Sequence, residues 1–457
     1  MFMKITPALL ACFSLGLGTL ASYPVVAAEF DASGYTITRG RTLEDFFTAA
    51  INYSPALKAA RERWNIGSAR VDRANGQLLP QVQVGAVLSK NEYQTDLIDR
   101  NYSGERYSFS VSQVLFNWQA FSARKMAYLT ADQREAEYYA QLAEVLTIIA
   151  DQYLGVLQAQ DAANSIRSEI AALTTQIDRI QALFDLQLAR VTDLYEAQAR
   201  LAAAQAQQVE LDGNVEITRE MLKAATGIEV GELSRLPAEI TVPPLEGTLP
   251  EWLQRTTENN KVIEARRQAL GVARSQVSQA RGAYMPTVSL VYQKQQSDTG
   301  FDNIQQPPYE TGYLGVNVTV PLFAGGSNRA TVREAFSLRN IAESEYQQAE
   351  LDVLDRARTA YFRVKTGESR IESAKVLLDS TTTSLEAMRQ GFEFGTVTSV
   401  DVLNALRDQF SAERDLQRVR YDHIRSHLVL RRESGSLSAE DMMEVSAMLS
   451  VAGLPSR

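Results

Sequence analysis

The chain is written twice. Leu79-Pro80 recurs as Met285-Pro286, 206 residues on; Leu115-Phe116 recurs as Leu322-Phe323, at 207; Phe184 with Thr192-Asp193 recurs as Phe392 with Val400-Asp401, at 208. Three landmarks at nearly constant spacing mark an internal duplication, and the period is far too long for a solenoid, whose units run to ~50 residues. The similar stretches are Thr42–Gly227 and Leu249–Gly435, joined by a Pro-rich link from Leu236-Pro237 through Pro243-Pro244 to Pro250. Any fold for this chain must therefore be built from two like halves.

Each half has the same plan. A helix comes first, Leu57 to Leu78 and Val262 to Tyr284, and Pro80 and Pro286 stop it, because the residue before a proline is pushed out of the α region. A strand follows. Val82, Val84, Ala86 and Leu88 alternate with Gln81, Gln83, Gly85 and Val87, and Val288, Leu290 and Tyr292 alternate with Thr287, Ser289 and Val291. Polar loops are expected over Lys90–Glu105 and Lys294–Thr311. A second strand then sets Tyr107, Phe109 and Val111 against Ser108, Ser110 and Ser112, and Leu314, Val316, Val318 and Val320 against Tyr313, Gly315, Asn317 and Thr319. Such alternation gives a sheet one apolar and one polar face. It suits a half-buried globular strand and a membrane barrel strand equally. Tyr102, Tyr107, Tyr292, Tyr309 and Tyr313 flank these strands as an expected membrane-interface belt.

The remainder of each half is helix of unusual length. No proline lies between Pro80 and Pro237, or between Pro321 and Pro455. Ser122 to Phe184 reads as one helix, at ~1.5 Å per residue nearly 100 Å long. A strict heptad runs through Ile166, Ile170, Leu173, Ile177, Ile180 and Phe184, and again through Ala374, Leu378, Thr381, Leu385, Met388 and Phe392. This 4-3 spacing is a coiled-coil seam. Turns at Asp185–Arg190 and Glu393–Val397 lead into returning helices, Thr192 to Ala225 and Val400 to Glu433, and an Ala-rich stretch at Ala197–Ala206 permits close approach of a neighbour. The first helix and the returning one together match the long one in length. Economical packing stacks those two end to end beside it, giving two antiparallel coiled-coil pairs with both β-hairpins at one end.

The domain plan follows: a leader over 1–28; a first repeat over 29–227, with a β-hairpin at 80–116 and a helical hairpin at 122–227; a linker over 228–250; a second repeat over 249–435, with hairpins at 286–323 and 327–435; and a tail over 436–457. Lys4, the apolar run Ile5–Ala21 and Val26-Ala27-Ala28 read as a secretory signal cleaved after Ala28. Leu9-Leu10-Ala11-Cys12 has the look of a lipoprotein box, but only eight residues precede it and the apolar run continues past it. No later segment has 18 uninterrupted apolar residues, so a membrane crossing would have to be a closed barrel. Four strands cannot close one, since known barrels begin at eight, and an isolated sheet leaves edges. Oligomerisation is expected. A trimer would supply twelve strands and twelve helical columns, although the residues alone do not fix the number.

Composition excludes several classes. With 46 Lys+Arg against 55 Asp+Glu the net charge is −9, which argues against nucleic acid as a partner. One Cys and two His rule out a disulfide framework and a Cys-rich metal centre, and leave almost nothing for a Ser–His or Cys–His enzyme. There is no Gly-Lys dipeptide for a nucleotide-binding loop and no G-x-S-x-G. His423 and His427 share a helix face, but no third ligand is evident and a structural role is the reading. No catalytic residue, cofactor or metal is called for, and energy must come from a partner. The alternatives to an exit duct are a periplasmic coiled-coil adaptor and a structural spacer. Neither needs two amphipathic hairpins at one end.

The landmarks are also where the chain resembles the TolC-like outer-membrane efflux protein family, over nearly all of its length. The residues are Thr42-Leu43-Glu44-Asp45 with Ser54-Pro55-Ala56-Leu57, Leu78-Leu79-Pro80, Ser112-Gln113-Val114-Leu115-Phe116, Val320-Pro321-Leu322-Phe323-Ala324-Gly325-Gly326, Gly391-Phe392-Glu393-Phe394-Gly395-Thr396 and Val400-Asp401-Val402-Leu403-Asn404-Ala405. The resemblance implies a mainly α fold: a coiled-coil α-barrel in the periplasm carrying a membrane β-barrel of four strands per chain, closed by trimerisation. It further implies a passive duct in outer-membrane lipid, serving type I secretion or drug efflux, opened when a periplasmic adaptor and an inner-membrane transporter dock.

The resemblance also assigns sites. The docking tips are Leu186-Gln187-Leu188 and Phe394-Gly395-Thr396. The gate comprises Asp401, Asn404, Asp193, Thr192, Phe392, Val397 and Arg190. Gln187 stands where the family usually has Gly, Val397 where its namesake has a latching arginine, and Asn404 where it has a second acid. Arg190 is a candidate substitute for that arginine. Asp401 reads either as a pore-narrowing anion or as a helix N-cap, and Asp193 as a cap.

Overall fold

The computed structural model describes residues 39–94, 99–233, 245–300 and 304–437. The leader with Cys12, the Pro237 to Pro244 part of the link and most of the tail lie outside the described residues. In chain order the elements are β1 (Arg39–Gly40), α1 (Leu43–Tyr53), α2 (Pro55–Gly76), β2 (Gln81–Gln94), β3 (Asp99–Asn117), α3 (Trp118–Asp185), α4 (Val191–Thr226), β4 (Glu229–Val230), α5 (Leu249–Asn259), α6 (Lys261–Arg281), β5 (Thr287–Thr299), β6 (Gln305–Thr319), α7 (Ser327–Glu393) and α8 (Ser399–Glu433). Two helices, two strands and two helices thus occur twice.

Local chemistry sets the helix starts. The Ser54 hydroxyl accepts from the Leu57 amide at 3.4 Å, and the Asn260 amide oxygen from those of Val262 and Ile263 at 2.9 and 3.2 Å. Both residues are N-caps that satisfy otherwise orphan donors. The short helices α1 and α5 were not expected. Their signal was present in the sequence: Thr42 with Asp45 and Thr248 with Glu251 form reciprocal capping boxes. α2 begins at Pro55, two residues before the expected Leu57, and stops at Gly76, four residues before Pro80.

The sheet differs from expectation in one respect. The segments read as polar loops are largely strand, since β2 runs on to Gln94, β3 starts back at Asp99, β5 reaches Thr299 and β6 starts at Gln305. Above the apolar band the strands are polar on both faces, so hydrophobic alternation vanishes while backbone pairing continues. The order is β2-β3-β5-β6, all antiparallel, and the central joint pairs one repeat with the other. Register puts Val84, Phe109, Lys294 and Gly312 in one row, and Val82, Val111, Tyr292 and Leu314 in the next. The face holding Val82, Val84, Leu88, Val111, Phe109, Leu290, Val316 and Val318 is apolar and open to the surroundings. The opposite face carries Gln83, Ser108, Ser110, Gln293, Gln295 and Asn317. Tyr107 and Tyr292 lie on the apolar face. Tyr102, Tyr309 and Tyr313 fall on the polar one, opposite Asn91, Ser297 and Gln293, so they are not part of a lipid-facing belt. Their odd or even position within the strand decides this.

The helices form a layer. α3, 68 residues long, lies against α2 over one part of its length and α4 over another; α7, 67 residues long, does the same with α6 and α8, and α3 also packs on α6 and α8. One 18-residue window of α3 is apolar enough to cross a membrane by length and composition, but half of it is buried among helices. A core at mid-height surrounds Phe46, Tyr153, Leu154, Leu222 and Tyr421, each with no exposed surface. Burying each such side chain contributes ~1.5–3 kcal/mol. Near the turns a second core holds Ile166, Leu173, Ile180, Leu194, Ala197, Leu385, Val402 and Leu406, which is the expected heptad seam.

Candidate gate and docking tips

The turns α3–α4 and α7–α8 end the helical layer on the side away from the sheet, and shared packing holds them together. Both contribute to the one core around Ile180, Leu194, Leu385 and Val402. Arg179 of α3 pairs with Glu393 of α7 at 3.4 Å.

Each turn is a Schellman motif. In the second, the Gly395 amide donates to the Phe392 carbonyl at 3.1 Å and the Thr396 amide to that of Gly391 at 2.9 Å, with Gly395 at φ 72°. In the first, Gln187 donates to Phe184 and Leu188 to Leu183, both at 2.8 Å. Gln187 has φ 60°, the sole non-glycine residue with positive φ among those described. The family's glycine geometry is therefore kept without the glycine, at a strain of ~1–2 kcal/mol. Leu186, Leu188 and Phe394 stand 69%, 73% and 83% exposed around these turns, so three large apolar side chains project from the tips.

The returning helices start differently. Thr398 is the N-cap of α8. Asp401 takes the third helical position, closing a capping box rather than serving as the N-cap itself. Its Oδ2 accepts from the Thr398 amide at 3.1 Å and hydroxyl at 2.6 Å. These bonds hold the Asp401 carboxyl below its ordinary value, so it stays ionised. Its Oδ1 has no hydrogen bond among the described residues. At α4 the N-cap is Arg190, with no side-chain cap bond, and Asp193 again sits at the third position rather than the cap, accepting from the Thr192 hydroxyl at 3.3 Å. Arg190 makes no ion pair among the described residues, so in the single chain it does not latch. Phe392 is half-buried in the tip core, and Val397 leans across the turn, where a Cβ on Gly391 would come within 2.6 Å of it.

Asn404 has a partner that sequence reasoning missed. Arg200 of α4 donates to its amide oxygen at 3.0 Å while holding Glu196 at 2.8 Å, tying the first hairpin to the second. Higher up, Arg414 of α8 holds Glu169 of α3 at 2.6 Å, and Tyr421 donates to Asp161 at 2.6 Å. Burial, and then the Asp161 charge, push the Tyr421 phenol upward. These links span more than 200 residues of sequence, so no local pattern announces them.

Among the described residues no three His, Cys, Asp or Glu side chains converge as metal ligands. His423 and His427 stack edge to face at 4.9 Å, and His423 Nδ1 and His427 Nε2 are buried without partners. Burial holds His423 below its ordinary value; burial, then His423 and Arg431, lower His427 to about 4. Both rings are therefore neutral packing groups, wedged where Gly367 of α7 leaves room.

Two amphipathic hairpins above two capped helical turns, repeated within one chain, is a pattern that known proteins share. The family model for outer membrane efflux proteins matches residues 48–228 and 252–436. The chain belongs to the outer membrane efflux protein family. Outer membrane protein TolC of Vibrio cholerae serotype O1 is 27% identical over 447 residues, covering 96% of this chain and 98% of that one. Alkaline protease secretion protein AprF of Pseudomonas aeruginosa is 26% identical over 91% of this chain and 89% of its own. Among solved structures, VceC of Vibrio cholerae superposes with a TM-score of 0.74 at 18% identity, covering 86% of this chain and 96% of that one. CmeC of Campylobacter jejuni gives 0.74 at 17%, over 90% and 89%. Membership in the family places the protein in the outer membrane as an efflux component, and sets aside the adaptor and spacer readings.

Proposed function

We propose that three copies of the chain close into a passive duct from periplasm to exterior, opened when a periplasmic adaptor and an inner-membrane transporter dock at the helical tips. The observation that carries this reading is the sheet. Its apolar face spans all four strands, its other face is polar, and β2 and β6 are unpaired edges. An edge of this kind in lipid costs several kcal/mol per unsatisfied backbone group, so the sheet must close on copies of itself. The helical layer has its own two edges: α2 and α4 pack on the outer side of α3, and α7 on the outer side of α6 and α8. The contact is therefore head-to-tail and generates a ring.

Size favours three copies. Each level of the layer presents four helical columns. With axes 8–10 Å apart, eight columns leave a bore of only ~14 Å once helix thickness is removed, and twelve leave ~25 Å. An eight-stranded barrel is likewise filled by its own side chains. A ~25 Å bore admits drugs and extended polypeptide but excludes a folded domain of ~100 residues, some 34 Å across. The names of the relatives suit that range: AprF is named for alkaline protease secretion, OpmQ for pyoverdine export and SrpC for solvent efflux.

Native mass spectrometry in detergent should give three times the chain mass, and planar bilayers should show discrete conductance steps. Monomers without conductance would refute the proposal. Deleting the gene should cost secretion, drug resistance or both.

A further inference from the structure

A cavity of about 1060 Å³ opens at mid-height of the helical layer, where the start of α6 meets the end of α8 beside α3. Its apolar lining comes from both repeats: Phe47 and Ile51 of α1, Leu142 and Leu146 of α3, Val262 of α6, and Leu437 beyond α8. Glu44, Phe47, Thr48 and Ile51 are spaced i, i+3, i+4, i+7, so one whole face of α1 borders the space. The chain leaving α4 already covers another side of α1. There Val230 and Leu233 are buried in the core around Phe46, and the Gly231 amide donates to the Gly40 carbonyl at 2.9 Å. No described element covers the cavity side.

The cavity is also basic. Six basic and four acidic side chains border it, leaving two positive charges over. Arg134 is held by Glu137 at 2.6 Å, while Arg356 and Arg432 share the one buried Glu433 carboxylate at 3.2 and 2.5 Å. Arg63 of α2 and Lys261 of α6 are exposed at the border and make no ion pair among the described residues. An occupant that suits this site is apolar on one side and acidic on the other.

The chain's own end has that chemistry and starts in the right place. Gly435 leaves α8 at φ 69°, where a Cβ would strike the Asn259 backbone, and Leu437 then packs on the core beneath α1 while lining the cavity. Residues 438–457 follow. Ser438-x-x-Asp441 is a capping pattern, with Leu437 and Met442 at the two staple positions. Met442, Val445 and Leu449 recur at i, i+3, i+7, and Glu440 and Glu444 fall on the other side of the same helical wheel. Glu440, Asp441 and Glu444 are the only charged side chains between Leu437 and Arg457. A helix ~10 Å thick rising ~1.5 Å per residue fills this cavity with about nine residues, the length of Ala439 to Ala447. We propose that Ser438–Leu449 docks in the cavity as an amphipathic helix, its apolar side against α1 and α3 and its acids toward Arg63 and Lys261, and so straps the first repeat to the second. The contact lies within one copy and is independent of ring closure and of the duct.

Hydrogen exchange reads both sides of the contact, in the full protein and in a chain ending at Leu437. In the full protein, peptides within Ser438–Leu449 should exchange at least ten-fold more slowly than their intrinsic rate. Truncation should lower the protection of Leu43–Tyr53 and of Lys261–Arg266 at least ten-fold, and a synthetic peptide of residues 438–457, added in excess, should restore it. Glu440→Lys with Glu444→Lys should strip protection from the tail and from α1 together, and adding Arg63→Glu with Lys261→Glu to that chain should return it. This exchange of charges guards against a variant that merely fails to fold. A tail that exchanges at its intrinsic rate overturns the proposal. So does α1 protection unchanged by truncation, which would assign that face to another partner, and so does a charge-reversed tail as well protected as the native one.

Discussion

The buried pair His423 and His427 should make the α7–α8 packing sensitive to acid. In the folded chain His427 takes up a proton only near pH 4, because it is buried and lies beside His423 and Arg431. An unfolded histidine does so near pH ~6.5. The unfolded form therefore binds more protons throughout that window. The stabilisation is complete above about pH 6.5 and is lost as pH falls toward 4. At pH 5 the loss from His427 alone is about 2 kcal/mol per copy, and about 3 kcal/mol by pH 4. His423, also lowered by burial, adds in the same direction, and Glu368 of α7 partly offsets it. The proton has no acceptor to meet inside, since His423 Nδ1 and His427 Nε2 already lack partners. Hydrogen exchange read on peptides covering Arg418–Leu430 and Val364–Glu368, corrected for intrinsic rate, should show roughly ten-fold or greater loss of protection between pH 7.5 and 5.0. Replacing His427 with Phe fills the space without a titrating nitrogen and should flatten much of the response. Equal protection at both pH values would refute the argument. So would an undiminished pH response in a variant with both histidines replaced by Phe.

Three further outcomes follow from the tips. Bilayer recordings should show a cation-selective channel of low conductance, blocked by divalent or trivalent cations from the periplasmic side, if the proposed trimer brings three Asp401 carboxylates together near its axis; Asp401→Asn, which keeps an oxygen for the Thr398 bonds, should weaken selectivity and block as much as Asp401→Ala, and wild-type behaviour in both would reduce Asp401 to a capping residue. Gly395→Val puts a β-branched residue at φ 72°, which should abolish export while leaving oligomer and outer-membrane insertion intact; normal export would count against docking at the tips. Gln187→Gly should relieve the strained turn and raise protection of the first tip by about 1 kcal/mol, measured by hydrogen exchange, with no gain expected if φ 60° is not costly there.

Much of the fold was legible because it obeys local rules. Prolines bound the short helices, period-2 runs mark Val82–Leu88 and Val288–Tyr292, and a 4-3 heptad at Ile166 to Ile180 became the buried seam at the tips. The strand ends were not legible, because Lys90 to Gln94 are polar on both faces and carry no hydrophobic periodicity. The helices α1 and α5 were overlooked although Thr42-x-x-Asp45 and Thr248-x-x-Glu251 are capping patterns; eleven residues give too few turns for a hydrophobic period to stand out. Three of the five belt tyrosines, Tyr102, Tyr309 and Tyr313, were misassigned for a different reason. Aromatic type says that a residue suits an interface, whereas only its odd or even place in the strand says which face it occupies.

The tips show where a single sequence stops being informative. Asp401 reads as cap or pore anion, and the two roles are compatible because one carboxylate has two oxygens. Oδ2 is engaged by Thr398, while Oδ1 has no partner among the described residues. A capping box fixes the side-chain rotamer and keeps the group ionised, which are also the two things a gate ring needs from each of its members. The local role is therefore compatible with the proposed collective one. The Arg200–Asn404 bond carries the same lesson for the latch. Asn404 and Val397 carry no charge where the resemblance implies an acid and an arginine, yet Arg200 bridges the hairpins through the neutral Asn404 amide, with Glu196 held on its own helix. A bond to a neutral acceptor is weaker than one to a carboxylate by about half. Within the single chain the two tips are joined by the Arg179–Glu393 pair and by the Arg200 bond to a neutral amide.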